Sequence, residues 1–330
     1  MPALSTPQTV FMFSGQGSQH FQMAKELFAV NERFRETLIR MDRVAQPLVG
    51  QSVIEAIYSA SRSDPFDRTL LTHPAIFMVE YSLSQCLIHG GVTPDLTLGA
   101  SLGSFAAATL AGCMDPEEAL TAVIRHAMAL EASCKPGGML AVLADPALFQ
   151  EEFMREHSEL AAINFSKHFV VSATPVGLDK IEAVLRRREI THQRLPVSFA
   201  FHSRWIEEAR LPLESCVSSV RMTQGQLPLL GCHDLVTRTE LSADFFWGAV
   251  RQPIRFREAI AQLEREGSHR YIDVGPSGTL ATFLKYGLPA GSASTAHAIL
   301  TPWGQDQKNL TTLLTSAASV DRAVHPRGGP

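Results

Sequence analysis

The sequence is short of the features that would place it in several large classes. Its 330 residues hold five cysteines, Cys86, Cys113, Cys134, Cys216 and Cys232. None form a CxxC pair or a metal-ligand spacing, and the odd number argues against a disulfide framework. Reduced, buried thiols in a cytoplasmic protein are the expectation, with no metal site. The net charge is only -4, which gives no electrostatic case for nucleic acid or membrane as partner. No apolar run approaches the ~20 residues that a membrane-spanning helix needs. The opening MPALSTPQTV has neither a basic start nor an apolar core, so no signal peptide is expected. No internal repeat is visible. What remains is an ordinary globular composition, 45% hydrophobic and 19% charged, long enough for one large domain or two smaller ones.

The local patterns alternate between strand and helix. Thr9–Phe13 is β-prone and runs into the loop Ser14-Gly15-Gln16-Gly17-Ser18-Gln19. A polar helical region covers roughly 20–48, and apolar helical patterning follows over Pro74–Ile88. Asp95–Leu98 reads as a short strand stopping at Gly99, and Leu102–Ala111 as a buried helix. Asp115-Pro116-Glu117-Glu118 is a helix start, with Asp115 as cap, and that helix should run to about Ala132. Residues 137–200 differ. There the pattern reads strand (Leu140–Leu143), helix (146–156), strand (Phe169–Ser172), helix (Gly177–Arg188), strand (Arg194–Ala200). That is a small α+β unit inserted in a larger α/β domain. The expected division is a large domain of 1–134 and 200–318, a small one of 135–199, and a disordered tail of 319–330.

Gly99-Ala100-Ser101-Leu102-Gly103 matches the nucleophile-elbow pattern GxSxG. A strand that turns sharply into a helix leaves no room for side chains two before and two after the serine. The serine then sits at a helix N-terminus, where free N–H groups favour developing negative charge. A serine hydroxyl needs a base, and His202 is the candidate: it follows the apolar run Val197–Phe201 and precedes a polar turn. An ordinary histidine at a strand end fits that position equally well. The glycines around Gln16 do not continue into a phosphate loop.

Six segments in order carry a resemblance: FSGQGSQ (13–19), GASLG (99–103), GGMLAV (137–142), AFHS (200–203), WGAVRQPIRF (247–256) and DVGPSGTL (273–280). Over residues 8–290 the chain resembles acyltransferases of the malonyl-CoA:acyl-carrier-protein transacylase type. Within them it is most similar to the discrete, trans-acting acyltransferase and acyl hydrolase proteins of polyketide assembly lines. The resemblance implies a large α/β-hydrolase-like domain with an inserted ferredoxin-like α+β subdomain and an active site between them. It implies Ser101 as the acylated nucleophile, His202 as its base, and Gln16 and the Leu102 N–H around the oxyanion. It implies acyl carrier protein and acyl-CoA or acyl-carrier thioesters as partners. No cofactor is implied, since phosphopantetheine enters as part of the substrate.

Departures from the family pattern bear on the substrate. Where malonyl-transferring members carry a carboxylate-binding arginine, ungapped counting places His126. Arg125 next to it points ~100° away on the same helix. His126 shares its face with Ala119, Val123 and Leu130 and should point inward. Phe199 stands where malonyl-specific members often have histidine, and the retained Phe201 argues against large branched acyl groups. His126, Phe199 and Phe201 are therefore expected to shape the acyl pocket. The base-orienting position corresponds to Ala249, which could serve only through its backbone. A pocket without a carboxylate clamp favours uncharged acyl groups and hydrolysis of stalled acyl chains from carrier proteins. The alternatives are a trans-acting acyltransferase for malonyl or another acyl group, a serine esterase using Asp115, Asp145 or Asp179, and a non-catalytic carrier-binding scaffold. Arg186-Arg187-Arg188 is a candidate contact for an acidic carrier, or simply a solvated helix end.

Overall fold

The computed structural model describes residues 7–324, with side chains through 317. Its strands run, in chain order, β1 (Gln8–Phe13), β2 (Leu96–Gly99), β3 (Gly138–Val142), β4 (Glu159–Phe165), β5 (His168–Ala173), β6 (His192–Arg194), β7 (Leu229–Gly231), β8 (Thr237–Arg238), β9 (His269–Asp273) and β10 (Thr295–Ala298). They form two sheets, a six-stranded one in the order β10-β9-β1-β2-β7-β8 and a four-stranded one in the order β4-β5-β3-β6.

The larger sheet is parallel except for its edge hairpin β7–β8. Its central strand VFMF is apolar on both faces and wholly buried, as a strand covered by helices on both sides must be. One face packs against the helix Thr69–His89, whose residues are buried around its whole circumference over most of its length. A helix apolar on every side belongs inside. Because β1 and β2 are parallel neighbours with Phe13 opposite Gly99, their C-terminal loops, Ser14–Gln19 and Ala100–Leu102, emerge side by side. That is where open α/β sheets collect their sites.

The smaller sheet is antiparallel. Its chain order, strand-helix-strand-strand-helix-strand, with β3 and β5 central, is the split βαβ arrangement of ferredoxin-like units. The sequence pattern misses β4. Glu159–Phe165 alternates imperfectly, and its register slips twice against β5, so the two-residue period is broken. The 146–156 helix is instead a 3-10 turn, Pro146–Gln150, and a four-residue helix, Glu152–Arg155. Arg194–Ala200 is not a strand either. The strand β6 ends at Arg194, and Leu195–Phe201 runs on as an irregular, bent segment joined to β3 and the residue before it by the Leu195 N–H to the Met139 carbonyl and the Gly137 N–H to the Ser198 carbonyl.

The two sheets are stitched together by Ile254, whose N–H and carbonyl bond the backbone of Ala161 (2.8 Å) and Ile163 (2.9 Å) on β4. The final helix, Asp306–Val324, extends into the stretch from 319 expected as a tail; residues 325–330 of that stretch lie outside the described residues. Among the described residues no helix is long and apolar enough to cross a membrane, and no cluster of metal-ligating side chains occurs.

Candidate active site

The turn from β2 into the helix Gly103–Leu110 places Ser101 at its apex with φ of +55°. A non-glycine residue held there stores backbone strain, a frequent mark of functional positions. The flanking glycines are required by contact. A Cβ on Gly99 would lie 2.5 Å from the Ser104 Cα, and one on Gly103 would lie 2.3 Å from the Phe13 carbonyl oxygen. Across the turn, a Cβ on Gly15 would meet the Ser101 Cβ at 2.8 Å, so the loop after β1 presses its backbone directly over the serine. Leu102 is the N-cap of the helix, where helix geometry leaves the amide N–H without an intrahelical acceptor.

His202 comes to this point from the other side of the cleft. Its backbone is also left-handed, at φ +59°, and is pinned on both flanks. The Phe201 carbonyl accepts a hydrogen bond from Ser172 on β5, and the Ser203 hydroxyl donates to the Ala200 carbonyl at 2.5 Å. The imidazole Nε2 lies 2.8 Å from the Ser101 Oγ, and Nδ1 lies 2.7 Å from the Gln252 carbonyl oxygen. A carbonyl only accepts, so Nδ1 carries the proton and Nε2 is left to accept the serine hydroxyl's. Burial lowers the His202 pKa to about 4, against the Gln252 carbonyl, which raises it; His233 and Arg251 lower it further. The ring is therefore neutral at pH 7, the state a base requires.

The orienting carbonyl corrects the expectation at Ala249. It belongs to Gln252, three residues further on, while Val250 uses its carbonyl to accept the His202 N–H at 3.1 Å. The segment WGAVRQPIRF thus holds the base twice and, through Ile254, fastens β4. Asp115, Asp145 and Asp179 all lie elsewhere. The first two cap helices, and Asp179 pairs with Arg194 at 2.6 Å. None of the three serves the esterase arrangement.

Gln16 lines the same cavity as Ser101, but its side chain points into the helix Thr69–His89. Its Nε2 donates to the Thr72 Oγ1 at 3.0 Å, and its Oε1 accepts from the His73 Nε2 at 2.7 Å. With both ends engaged, Gln16 offers the cavity its backbone. The start of the loop is held by Glu80, a buried carboxyl that accepts from the Ser14 N–H (2.7 Å) and hydroxyl (2.9 Å). Burial pushes that carboxyl well above the usual range. Asp273, at the end of β9, accepts from the N–H groups of Gly275 and Ala281 and so ties the DVGPSGTL segment to the helix Thr279–Gly287. That helix contributes Thr279, Leu280 and Phe283 to the cavity wall.

The cavity has a volume of about 260 Å³. Its far wall comes from the smaller sheet, chiefly Met139, Ala141, Ala162 and Val170, and the lining residues include no lysine, arginine, aspartate or glutamate. Phe201 is part of the wall. Two of the expected pocket residues are not. Phe199 packs edge-on against Phe201 with centroids 6.2 Å apart, behind the cavity. His126 faces inward with Ala119, Val123 and Leu130, as its helical position dictates, but it is wholly buried behind His73 and Phe105. Burial lowers its pKa to about 4. Arg125 is on the exposed face of the same helix. Of the Arg186-Arg187-Arg188 run, Arg186 pairs with Glu182 and Arg188 with Glu151.

A parallel sheet with a serine elbow, a carbonyl-oriented histidine in reach of that serine, and a ferredoxin-like lid over an apolar cavity define a serine acyl-transfer enzyme. Residues 10–325 match the acyl transferase domain family, and the chain belongs to it. It is 45% identical over 313 residues to the polyketide biosynthesis acyltransferase homolog BaeD of Bacillus velezensis, covering 94% of this chain and 97% of that one. It is 43% identical to the homolog PksD of Bacillus subtilis, covering 92% and 95%. A loading acyltransferase from the avermectin modular polyketide synthase shares the fold, with a TM-score of 0.85 at 23% identity over 94% of this chain and 99% of that one.

Proposed function

We propose that this acyltransferase-family enzyme takes acyl groups from thioesters onto Ser101 during polyketide biosynthesis and passes them to water, releasing acyl chains from acyl carrier protein. The single observation that carries the acyl-enzyme step is the 2.8 Å contact between the Ser101 hydroxyl and an imidazole whose other nitrogen is spent on the Gln252 carbonyl. In this reading His202 takes the serine proton as Oγ attacks the thioester carbon. The oxyanion is met by the backbone N–H groups of Gln16 and Leu102, and the proton then passes to the departing thiolate. Water, activated by the same imidazole, opens the acyl ester and leaves the free acid. No cofactor takes part, and phosphopantetheine enters with the substrate. The large part, 1–134 with 200–318, is read as an α/β-hydrolase-like domain and 135–199 as the subdomain that covers it. The protein is read as cytoplasmic.

The choice of an uncharged acyl group rests on the cavity wall. A malonyl carboxylate would enter a space lined by no lysine or arginine, where burial lowers the His168 pKa to about 4 and leaves that ring neutral, and a buried unpaired charge is costly. Arg125 faces solvent and His126 lies a layer behind the wall. The second reading, loading of malonyl from coenzyme A onto a carrier, lacks its clamp here. The protein with acetyl-carrier protein should release acetate, with an acetyl adduct on Ser101 visible by intact mass. Efficient malonyl transfer from coenzyme A to a carrier, with little hydrolysis, would overturn the hydrolytic reading but leave the acyl-enzyme in place.

A further inference from the structure

Behind the cavity sits a pair of buried histidines that the mechanism above leaves unused. His73 and His126 are wholly or almost wholly buried, their ring centroids 5.3 Å apart. His73 touches both halves of the reaction machinery. Its Nε2 donates to the Gln16 side chain at 2.7 Å, and its ring lies 5.8 Å, centroid to centroid, from that of Phe201, the residue before His202. The neighbouring Thr72 receives the other end of the same amide at 3.0 Å. Both residues sit within the first two turns of the helix Thr69–His89, which is buried on every side over most of its length.

Ordinary packing does not require these contacts to be polar. A buried imidazole in an apolar layer loses its hydration, and burial holds the His73 pKa well below its usual value, with His126 adding to the effect. A phenylalanine or leucine would fill the space without that cost. What the imidazole supplies is one N–H aimed at the Gln16 Oε1. Since the Nε2 of Gln16 is taken by Thr72, the side chain is fixed at both ends and its backbone can adopt only one position over Ser101. Gly15, the residue before it, lies so near the serine that an added Cβ would come within 2.8 Å of the Ser101 Cβ.

We infer that His73, assisted by Thr72, is a positioning residue for acyl transfer: it anchors Gln16 so that the backbone N–H of residue 16 meets the developing oxyanion, and it buttresses the segment that carries the base. This rests on the acyl-Ser101 reading. The role is exerted through Gln16, so it should appear in the chemical step and not in ground-state binding. The Nε2–H donor is present in both the neutral and the protonated ring, so titration of His73 does not break the contact.

The test compares wild type, His73→Ala, His73→Gln and Thr72→Val, all full-length, on acetyl-pantetheine, with thermal unfolding measured beside steady-state kinetics and with wild-type acyl adduct read by intact mass. His73→Ala should lose about 10- to 100-fold in kcat, a displacement-sized effect, with KM within about threefold. His73→Gln restores an N–H donor and should recover most of that loss at an unchanged unfolding temperature relative to the alanine variant. A kcat for His73→Ala within twofold of wild type, or a glutamine variant no faster than the alanine one, overturns the proposal. If His73→Ala does not fold, Thr72→Val decides: a several-fold fall in kcat supports the anchor, and unchanged turnover overturns it. Absence of any wild-type adduct on Ser101 would instead remove the acyl-enzyme reading on which the proposal stands.

Discussion

The two sheets meet at one cavity and bring different things to it. The six-stranded sheet and its loops carry the serine and the amides beside it, Ser101 and Leu102 after β2 and Gln16 after β1, while His202 reaches them on the segment that leaves the smaller sheet after β6. The left-handed backbone at Ser101 and His202 and the glycine contacts at 99 and 103 show how little freedom that machinery has. The four-stranded sheet supplies side chains such as Met139, Ala141 and Val170, which line the cavity and carry no group able to react. The nucleophile is thus set by one region and much of the cavity wall by the other, and substitutions in each should fail in different ways.

The largest effect is expected at the nucleophile. Ser101→Ala should lower turnover by at least about 1,000-fold and abolish the acyl adduct, with the unfolding temperature little changed. Mass spectrometry and steady-state rates check both. Acid should come next. His126, His168 and His202 are each held at about pKa 4 by burial, and His73 is also lowered. An unfolded histidine titrates near 6.5. Between these values these histidines bind more protons in the unfolded chain, so the stability they contribute is fully present above pH 6.5 and is lost as pH falls toward 4, against the smaller number of buried carboxyls, Glu80, Asp273 and Asp306, whose raised pKa values act in the opposite sense. Unfolding temperature should therefore drop through this window. For enzyme that stays folded, kcat/KM should remain flat, because His202 is still neutral. A rate falling in step with His202 protonation near pH 6.5 would contradict its buried, neutral state.

The glycines sharpen the contrast between the regions. Gly103→Ala drives a methyl into the Phe13 carbonyl, a rigid backbone atom, and should cost about 3 kcal/mol in denaturant titration. Gly138→Ala in β3 meets only the Leu178 Cδ1 at 2.9 Å, the end of a side chain that can turn, and should cost about 1 kcal/mol. Ala141→Leu narrows the wall from the smaller sheet. Hexanoyl thioester turnover should fall about tenfold or more and acetyl turnover by no more than about threefold, since a pocket distinguishes acyl groups by methylene-sized increments. Equal losses for both chains would mean that the smaller sheet takes part in the chemistry.

What could be read from the sequence follows the same division. The elbow was legible because its geometry forbids side chains at two positions, and β1 and β2 because strands covered on both faces are simply apolar. Asp115 declared its cap through the proline and glutamates after it. The smaller sheet is harder: β4 is bulged, so its alternation fails, and Leu195–Phe201 looks β-prone yet makes only scattered bonds beside β3, Leu195 N–H to the Met139 carbonyl and Gly137 N–H to the Ser198 carbonyl. Gln252 is not legible in the sequence for a different reason. A backbone carbonyl has no sequence signature, and only the fold says which one lies under a given imidazole. His73 was invisible because a histidine in an apolar helix reads as packing until its neighbour across the chain, 57 residues away, is known. The helical period turns His126 inward, as the structure has it, but distance from the cavity is not a property that a helical period reveals.

The smallest effect is expected at Arg125, and it is the one that separates the two readings of the acyl group. If this guanidinium held a substrate carboxylate, Arg125→Ala would raise KM for malonyl thioesters by about 10- to 100-fold, the worth of a charge-assisted bidentate contact. The side chain is exposed on the helix Pro116–Ser133, near Cys216 and Val220 on the outer face. Reaching the cavity would need the helix to rotate by about 100°, which would bury the charge and expel Val123, His126 and Leu130 from the core. Arg125→Ala should therefore leave kcat and KM for both acetyl and malonyl thioesters within twofold. A malonyl-selective rise in KM would mean that the helix turns in solution, and the uncharged-acyl reading would fall with it.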